Sequence, residues 1–315
     1  MDKLSKQLSF VFFGTDEFSV KFLASLKDAG FQPALVVTMP DKPKGRKMVL
    51  IPPPVKKWAI ENNIKFIQPA NLKDPELSCQ LKARSYQLFL VASYGKIIPQ
   101  TILDLPKYGT LNIHPSLLPK YRGATPLESA VLSGDNTTGV TIIKVDAEMD
   151  HGPIIAQTKI SLALGQPYYE ELRDKLAEAG AKLLAAKIED YLAGKIIPKE
   201  QDHSQATYTR KIAKTDGQIN LNDDPKLNYR KIRAFTPWPG TYFFIHPVRS
   251  KSPLGGSSRP VSGGREASNR VNNNSQPFRV LIKKARLVNS ELKIDRVLPE
   301  GRNEISWTEF ETNYL

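Results

Sequence analysis

Up to residue 194 the chain alternates short apolar, β-branched runs with amphipathic stretches of helical period, and this alternation restricts the fold more than any other feature. The run "LSFVFFGT" (8–15), ending at a glycine turn, reads as a buried strand. Runs at 33–40, 65–70, 86–95 and 109–116 repeat it, with helices between them at 19–30, 54–63, 74–85 and 125–135. Strands and helices alternating at this spacing predict an α/β fold with a doubly wound, mostly parallel sheet. Residues 137–162 read as paired strands around the turn "DAEMDHGP". A long helix over 167–195 closes the unit, with Leu172, Leu176, Leu183, Leu184, Ile188 and Tyr191 recurring at helical steps and Gly194 as its stop.

Beyond this first domain (1–194) the texture changes. Residues 195–207 are polar and read as a linker. Residues 208–315 read as a small β domain: a short helix at 225–235, a sharp "TPWPG" turn, and brief strands at 241–245, 278–288 and 291–298. The Ser/Gly/Asn/Arg-rich stretch 249–277 offers almost nothing to a core and is expected to be a mobile loop. The formal charge of +13 divides unevenly, +4 through Gly194 and +9 from Lys195 onward. Such an excess points to a polyanionic partner, nucleic acid foremost.

Cys79 is the only cysteine, which excludes an intrachain disulfide and a Cys-based zinc site and suits a reducing, cytoplasmic setting. No apolar run approaches bilayer length, and the N-terminal one is too short for a signal-peptide core, so no membrane partner is expected. A monomer is the default expectation.

The stretch "LNIHPSLLPKYRGATP" (111–126) carries the chemistry. Positions two apart on a strand share a face, so Asn112 and His114 project together while Leu111 and Ile113 point into the packing. In an open α/β sheet, the functional crevice lies beyond the carboxyl ends of the strands, where this pair emerges. A neutral imidazole can take a proton and a carboxamide can donate to a developing oxyanion, which equips the pair for acyl transfer. Taken alone, the two residues read rather as a strand end satisfied by backbone groups. Asp150, in "MDHGPI", could orient His114 and stabilise its charged form, or simply form the turn before Gly152. His151 beside it raises a metal site shared with His114, but no HxxxH-type spacing supports one and no metal is expected.

"NIHPSLLPKYRGATP" followed by "GVTIIKVDAEMDHGPI" resembles the active-site region of the 10-formyltetrahydrofolate-dependent formyltransferases. "FFGTDEFSVKFL", "VVTMPDKPKGRK", "VASYGKIIP", "KIRAFTPWPGTYF" and "PEGRNEISWTEF" extend the likeness over nearly the whole chain. The resemblance implies a Rossmann-like catalytic domain followed by an OB-like β-barrel that binds tRNA; a segment of that barrel has no counterpart in this sequence, and a shortened barrel is expected. It implies 10-formyltetrahydrofolate as co-substrate, without a metal, and as acceptor the α-amino group of methionine on initiator tRNA, for translation initiation. Amino-sugar or glycinamide-ribonucleotide formylation, or hydrolysis of the folate, are the alternatives within the family. Asn112, His114 and Asp150 match the family's catalytic residues. Ser116, Leu117, Leu118 and Pro119 match its folate-contacting run, with Tyr94 and Gly95 on the opposite wall. Lys42, Lys44, Arg46 and Lys47 match the loop that approaches the tRNA acceptor end. By themselves, Ser116 reads also as a turn residue, Leu117 and Leu118 as core, and the basic loop as a solvated one.

Overall fold

β1 (Phe10–Gly14) is buried from end to end, as an apolar strand with a parallel neighbour on each side must be. The structure is a computed structural model and describes residues 8–45, 48–162, 167–246 and 276–315. It divides into two units, Met1–Ile212 and Ala213–Leu315. After β1 the first unit continues with α1 (Glu17–Asp28), β2 (Leu35–Val37), β3 (Lys42–Lys44), β4 (Val49–Ile51), α2 (Pro54–Glu61), β5 (Phe66–Ile67) and α3 (Pro75–Ala83). Then come β6 (Leu88–Ala92), α4 (Gln100–Leu103), β7 (Thr110–His114), β8 (Arg122–Gly123), α5 (Pro126–Ser133), β9 (Thr137–Lys144), β10 (Ile154–Ser161), α6 (Tyr169–Leu192) and β11 (Tyr208–Thr209).

The main sheet has seven strands in the order β10-β9-β7-β6-β1-β2-β5. The five from β5 to β7 are parallel, and β9 and β10 add an antiparallel edge. This is the mostly parallel sheet that the alternation predicts. Chain order reverses beside β1, so the crevice belongs at the carboxyl ends of β1, β6 and β7. Two side chains tie that edge together: Ser19 Oγ donates to Ala92 O (2.6 Å) and Thr15 Oγ1 to Tyr94 O (2.8 Å). α6 buries Leu172, Leu176, Leu184 and Ile188 as its period predicts. Gly180 lets it lie close on β7, because a Cβ there would come within 3.0 Å of Ile113.

Residues 195–207, expected as a linker, run along the first unit. Ile154 and Lys199 exchange both backbone hydrogen bonds, and β11 pairs in parallel with β8. The basic loop after β2 is organised by a short hairpin, β3 against β4.

The second unit holds α7 (Pro225–Phe235), β12 (Thr241–Ile245), β13 (Phe278–Val288), β14 (Glu291–Pro299), β15 (Ile305–Ser306) and α8 (Trp307–Tyr314). Its four strands form one antiparallel sheet in the order β12-β13-β14-β15, and among the described residues the ladder does not close on itself. Ile232 and Phe235 of α7 and Phe310 of α8 are buried in the core of this unit. On β13 the alternation that buries Val280 and Ile282 breaks at a bulge, so that Lys283 and Lys284 are both exposed before Ala285 turns inward again. The expected mobile loop at 249–277 lies outside the described residues, except for its last two. Among the described residues, no helix is long and apolar enough to cross a membrane.

β13 and β14 are joined by Asn289 and Ser290, at φ 50° and 65°. Two consecutive left-handed residues define a tight turn that favours Asn-Gly, because an L side chain pays a steric cost at positive φ. Ser290→Gly is therefore expected to stabilise the second unit by about 0.5–1 kcal/mol. Thermal unfolding of the full chain checks this, and an unchanged or lower midpoint would count against the turn.

Candidate active site

The parity of β7 decides which side chains reach the crevice. Ile113 packs inward against α6, and Asn112 and His114 emerge together on the other face, beside β6 and β9. His114 is 4% exposed, and its Nε2 lies 3.0 Å from Tyr121 O. A carbonyl oxygen can only accept, so Nε2 carries the proton and donates it. That fixes the tautomer and leaves Nδ1 as the nitrogen able to take up a proton.

Asp150 stands opposite. Its Oδ1 lies 3.5 Å from His114 Nδ1 and accepts from Asn112 Nδ2 (3.1 Å), while Oδ2 accepts from Gly123 N (2.8 Å). The three residues singled out in the sequence therefore converge. Asn112 spends one N–H on Asp150. Its other N–H and its carbonyl oxygen have no hydrogen bond among the described residues, which leaves a donor free for a ligand oxygen. Asp150 itself has φ +53°, a costly conformation for a residue with a side chain. Gly152 follows because a Cβ there would fall on Lys144 O.

Sequence reasoning missed the loop that completes this arrangement. Tyr121 supplies the carbonyl for His114, and Gly123 supplies the N–H for Asp150. Gly123 has φ +112° and Thr209 Oγ1 would lie 2.8 Å from its Cβ, so only glycine lets β8 and β11 approach. The glycine in "YRGATP" was the one signal available. Arg122 between them is 1% exposed. It donates to Gln201 Oε1 (2.7 and 3.2 Å), His203 Nδ1 (2.8 Å) and the Tyr208 hydroxyl (3.3 Å).

The residues expected at the folate divide by exposure. Ser116, Leu118 and Tyr94 are buried, whereas Leu117 and Pro119 are half-buried and Gly95 is exposed. Ser116 Oγ donates to Lys120 O, Thr141 Oγ1 donates to Ser116 O and accepts from Leu118 N, and Gln157 Nε2 donates to Leu118 O. These bonds make the 116–118 run a stiff wall. Tyr94 packs edge-on against Phe13, and burial pushes its hydroxyl up to about 12. Gly95, at φ +84°, has open space where a Cβ would stand, so a ligand can approach its backbone.

Of the residues expected at the tRNA, Lys42 and Lys44 lie on β3, with Lys42 exposed, and Arg46 and Lys47 fall outside the described residues. The facing strand is apolar: Val49, Leu50 and Ile51 are all exposed, as is Met48 just before it. His151 does not face His114. It stacks on His203 (4.0 Å between ring centres), with Nδ1 2.7 Å from Asp146 Oδ2. Among the described residues, no three His, Cys, Asp or Glu side chains gather as metal ligands.

Family models described as "Formyl transferase" and "Formyl transferase, C-terminal domain" match residues 6–188 and 211–314. The chain is similar to a methionyl-tRNA formyltransferase of Chloroflexus aurantiacus, 43% identical over 234 residues that cover 74% of this chain and 75% of the relative. A methionyl-tRNA formyltransferase of Geobacter sulfurreducens is 38% identical over 76% of this chain and 75% of its own. Among solved structures, the methionyl-tRNA formyltransferase of Clostridium thermocellum aligns over 93% of this chain and 98% of its own at a TM-score of 0.54. At 17% identity, that likeness speaks for the fold alone.

Glu128, in the first turn of α5, adds a pH dependence. Burial raises its carboxyl to about 7, the Asp16 carboxylate adds to the shift, and its own backbone N–H opposes it. Between the unfolded value of 4.5 and about 7 the folded state therefore holds an extra proton. Stability falls as pH rises through that window, and the loss is complete above it. Glu128→Gln is expected to stabilise the first unit by about 1–3 kcal/mol near pH 8 and to have little effect near pH 4. Denaturant titrations at the two pH values check this, and equal differences at both would refute it.

Proposed function

Because the chain belongs to the formyl transferase family, we propose that it transfers the formyl group of 10-formyltetrahydrofolate to the α-amino group of methionyl initiator tRNA. It would act as a monomeric, cytoplasmic enzyme of translation initiation. The observation that carries this reading is the convergence of Asn112, His114 and Asp150 at the end of β7, with His114 Nε2 committed to Tyr121 O. The residues present suit the folate: a carboxamide donor, a proton acceptor and approachable backbone at Gly95, beside the stiff wall 116–118. Bound there, the folate supplies an activated formyl group on a nitrogen that can leave.

The chain's own residues do the rest. Nδ1 of His114 takes the proton that the attacking amine must lose, the Asp150 carboxylate 3.5 Å away stabilises the imidazolium, and the proton then passes to the departing folate nitrogen so that it leaves neutral. Asn112 gives its free N–H to the oxygen on which negative charge develops. Leu117, Pro119 and Gly95 offer surface to the folate, while Ser116, Leu118 and Tyr94 hold that surface in place. Lys42, Lys44, Arg46 and Lys47 meet the acceptor end of the tRNA. Lys283 and Lys284, both exposed by the bulge of β13, meet phosphates elsewhere on it.

The deciding experiment is an acceptor screen with labelled 10-formyltetrahydrofolate, offering methionyl initiator tRNA, glycinamide ribonucleotide, an amino sugar and water. Transfer to the tRNA is expected, and label on any other acceptor alone would overturn the proposal. His114→Ala is expected to abolish transfer while folate binding survives, and Asn112→Ala to lower kcat by roughly a hundredfold. Asn112→Ala changing only KM would make Asn112 a binding residue. Replacing Lys283 and Lys284 by Gln is expected to flatten the slope of log affinity for tRNA against log salt by about one unit per lost phosphate contact. An unchanged slope would remove these lysines from the interface.

A further inference from the structure

Residues 195–207 read as a polar connector, yet they carry a buried carboxamide that touches both loops of the site. Gln201 is 4% exposed. Its Nε2 donates to Asp150 O (2.9 Å) and Gly152 O (2.7 Å), and its Oε1 accepts from Arg122 Nη2 (2.7 Å) and Nε (3.2 Å). A guanidinium can only donate and carbonyl oxygens can only accept, so the orientation of the amide is dictated by its partners. Both hydrogens of Nε2 and both acceptor positions of Oε1 are used.

What lies one residue away gives these bonds their meaning. Arg122 sits between Tyr121, whose carbonyl holds His114 Nε2, and Gly123, whose N–H holds Asp150 Oδ2. On its other side, Gln201 holds the main-chain carbonyl of Asp150, the residue at φ +53°. One side chain thus joins the loop that orients the imidazole to the turn that carries the carboxylate. His203 of the same segment and Tyr208 at the start of β11 brace Arg122.

We infer that Gln201 is a positioning residue of this site: it fixes the Asp150 carboxylate relative to the His114 ring by binding the turn of Asp150 through its backbone carbonyls and the 121–123 loop through the Arg122 guanidinium. The inference rests on the formyl-transfer reading for its kinetic readout only. Gln201→Glu is the sharpest test, since it preserves size and the pairing with Arg122 but turns an oxygen toward the carbonyls of Asp150 and Gly152. It is expected to lower kcat by about ten- to a hundredfold, the effect of a small misplacement, with KM for either substrate changed less than about threefold. It is also expected to shift the 15N resonances of the His114 imidazole. A kcat within about twofold of the wild type, a loss confined to KM, or unmoved His114 resonances would overturn the inference.

A measurement on the unaltered chain covers the case in which the variant does not fold. The Gln201 side-chain amide protons are expected to exchange with solvent far more slowly than those of exposed glutamines, and exchange at the exposed rate would overturn the inference. The NMR measurements need no substrate, so a wrong acceptor assignment would leave them decisive.

Discussion

The Asp150 carboxylate accepts hydrogen bonds from two other stretches of chain, and the geometry of the site follows from it. Asn112 approaches from β7 and Gly123 from β8, while His114 Nδ1 lies beside the same oxygen that Asn112 occupies. A largely buried carboxylate deprived of either donor would lose about 1–3 kcal/mol, so each partner limits the movement of the others. The same bonds hold Asp150 at a positive φ that costs about 1–3 kcal/mol on its own. A strained residue at the meeting point of three elements is where a fold stores the precision that chemistry needs.

That precision begins in ordinary packing. β7 is buried between β6 and β9, and the face opposite Asn112 and His114 is pressed against α6 across Gly180. A strand gripped on one face presents the other at a fixed height and angle, which a loop could not do. The wall beside it is stiffened in the same way. Thr141, directly opposite His114 in the ladder, bonds to both Ser116 and Leu118 and so joins the strand pairing to the run that follows β7.

The second unit meets a different requirement with the same materials. Phe243, Trp307, Phe310 and Tyr314 make a cluster of edge-on and stacked rings, which gives a small antiparallel sheet a core. With the core filled from one side, a bulge on β13 can expose two successive lysines without loss of buried apolar area. Arg233 goes the other way: though it adds to the formal charge, it is buried against the Tyr229 ring, so the charge of this unit overstates what its surface presents.

The sequence by itself determined the parallel sheet, the long helix α6, the pairing of β9 with β10 and the shared face of Asn112 and His114. Each of these is written in residues two to seven positions apart, where apolar periodicity leaves one reading. The convergence of Asp150 on that pair was legible only as one choice among others, since an Asp before a glycine turn has the same local signature whether or not it meets a histidine. Tyr121, Gly123, Arg122 and Gln201 were decided by the tertiary structure alone. Tyr121 and Gly123 act through a backbone carbonyl and a backbone N–H, which nearly every residue possesses, so that the glycine marks a close approach of two strands and not the hydrogen bond it makes. Gln201 lies 51 residues from Asp150 and 79 from Arg122. A polar side chain that is paired in the interior has the same composition as one solvated in a linker, and only the closing of the chain over those distances makes the difference between them.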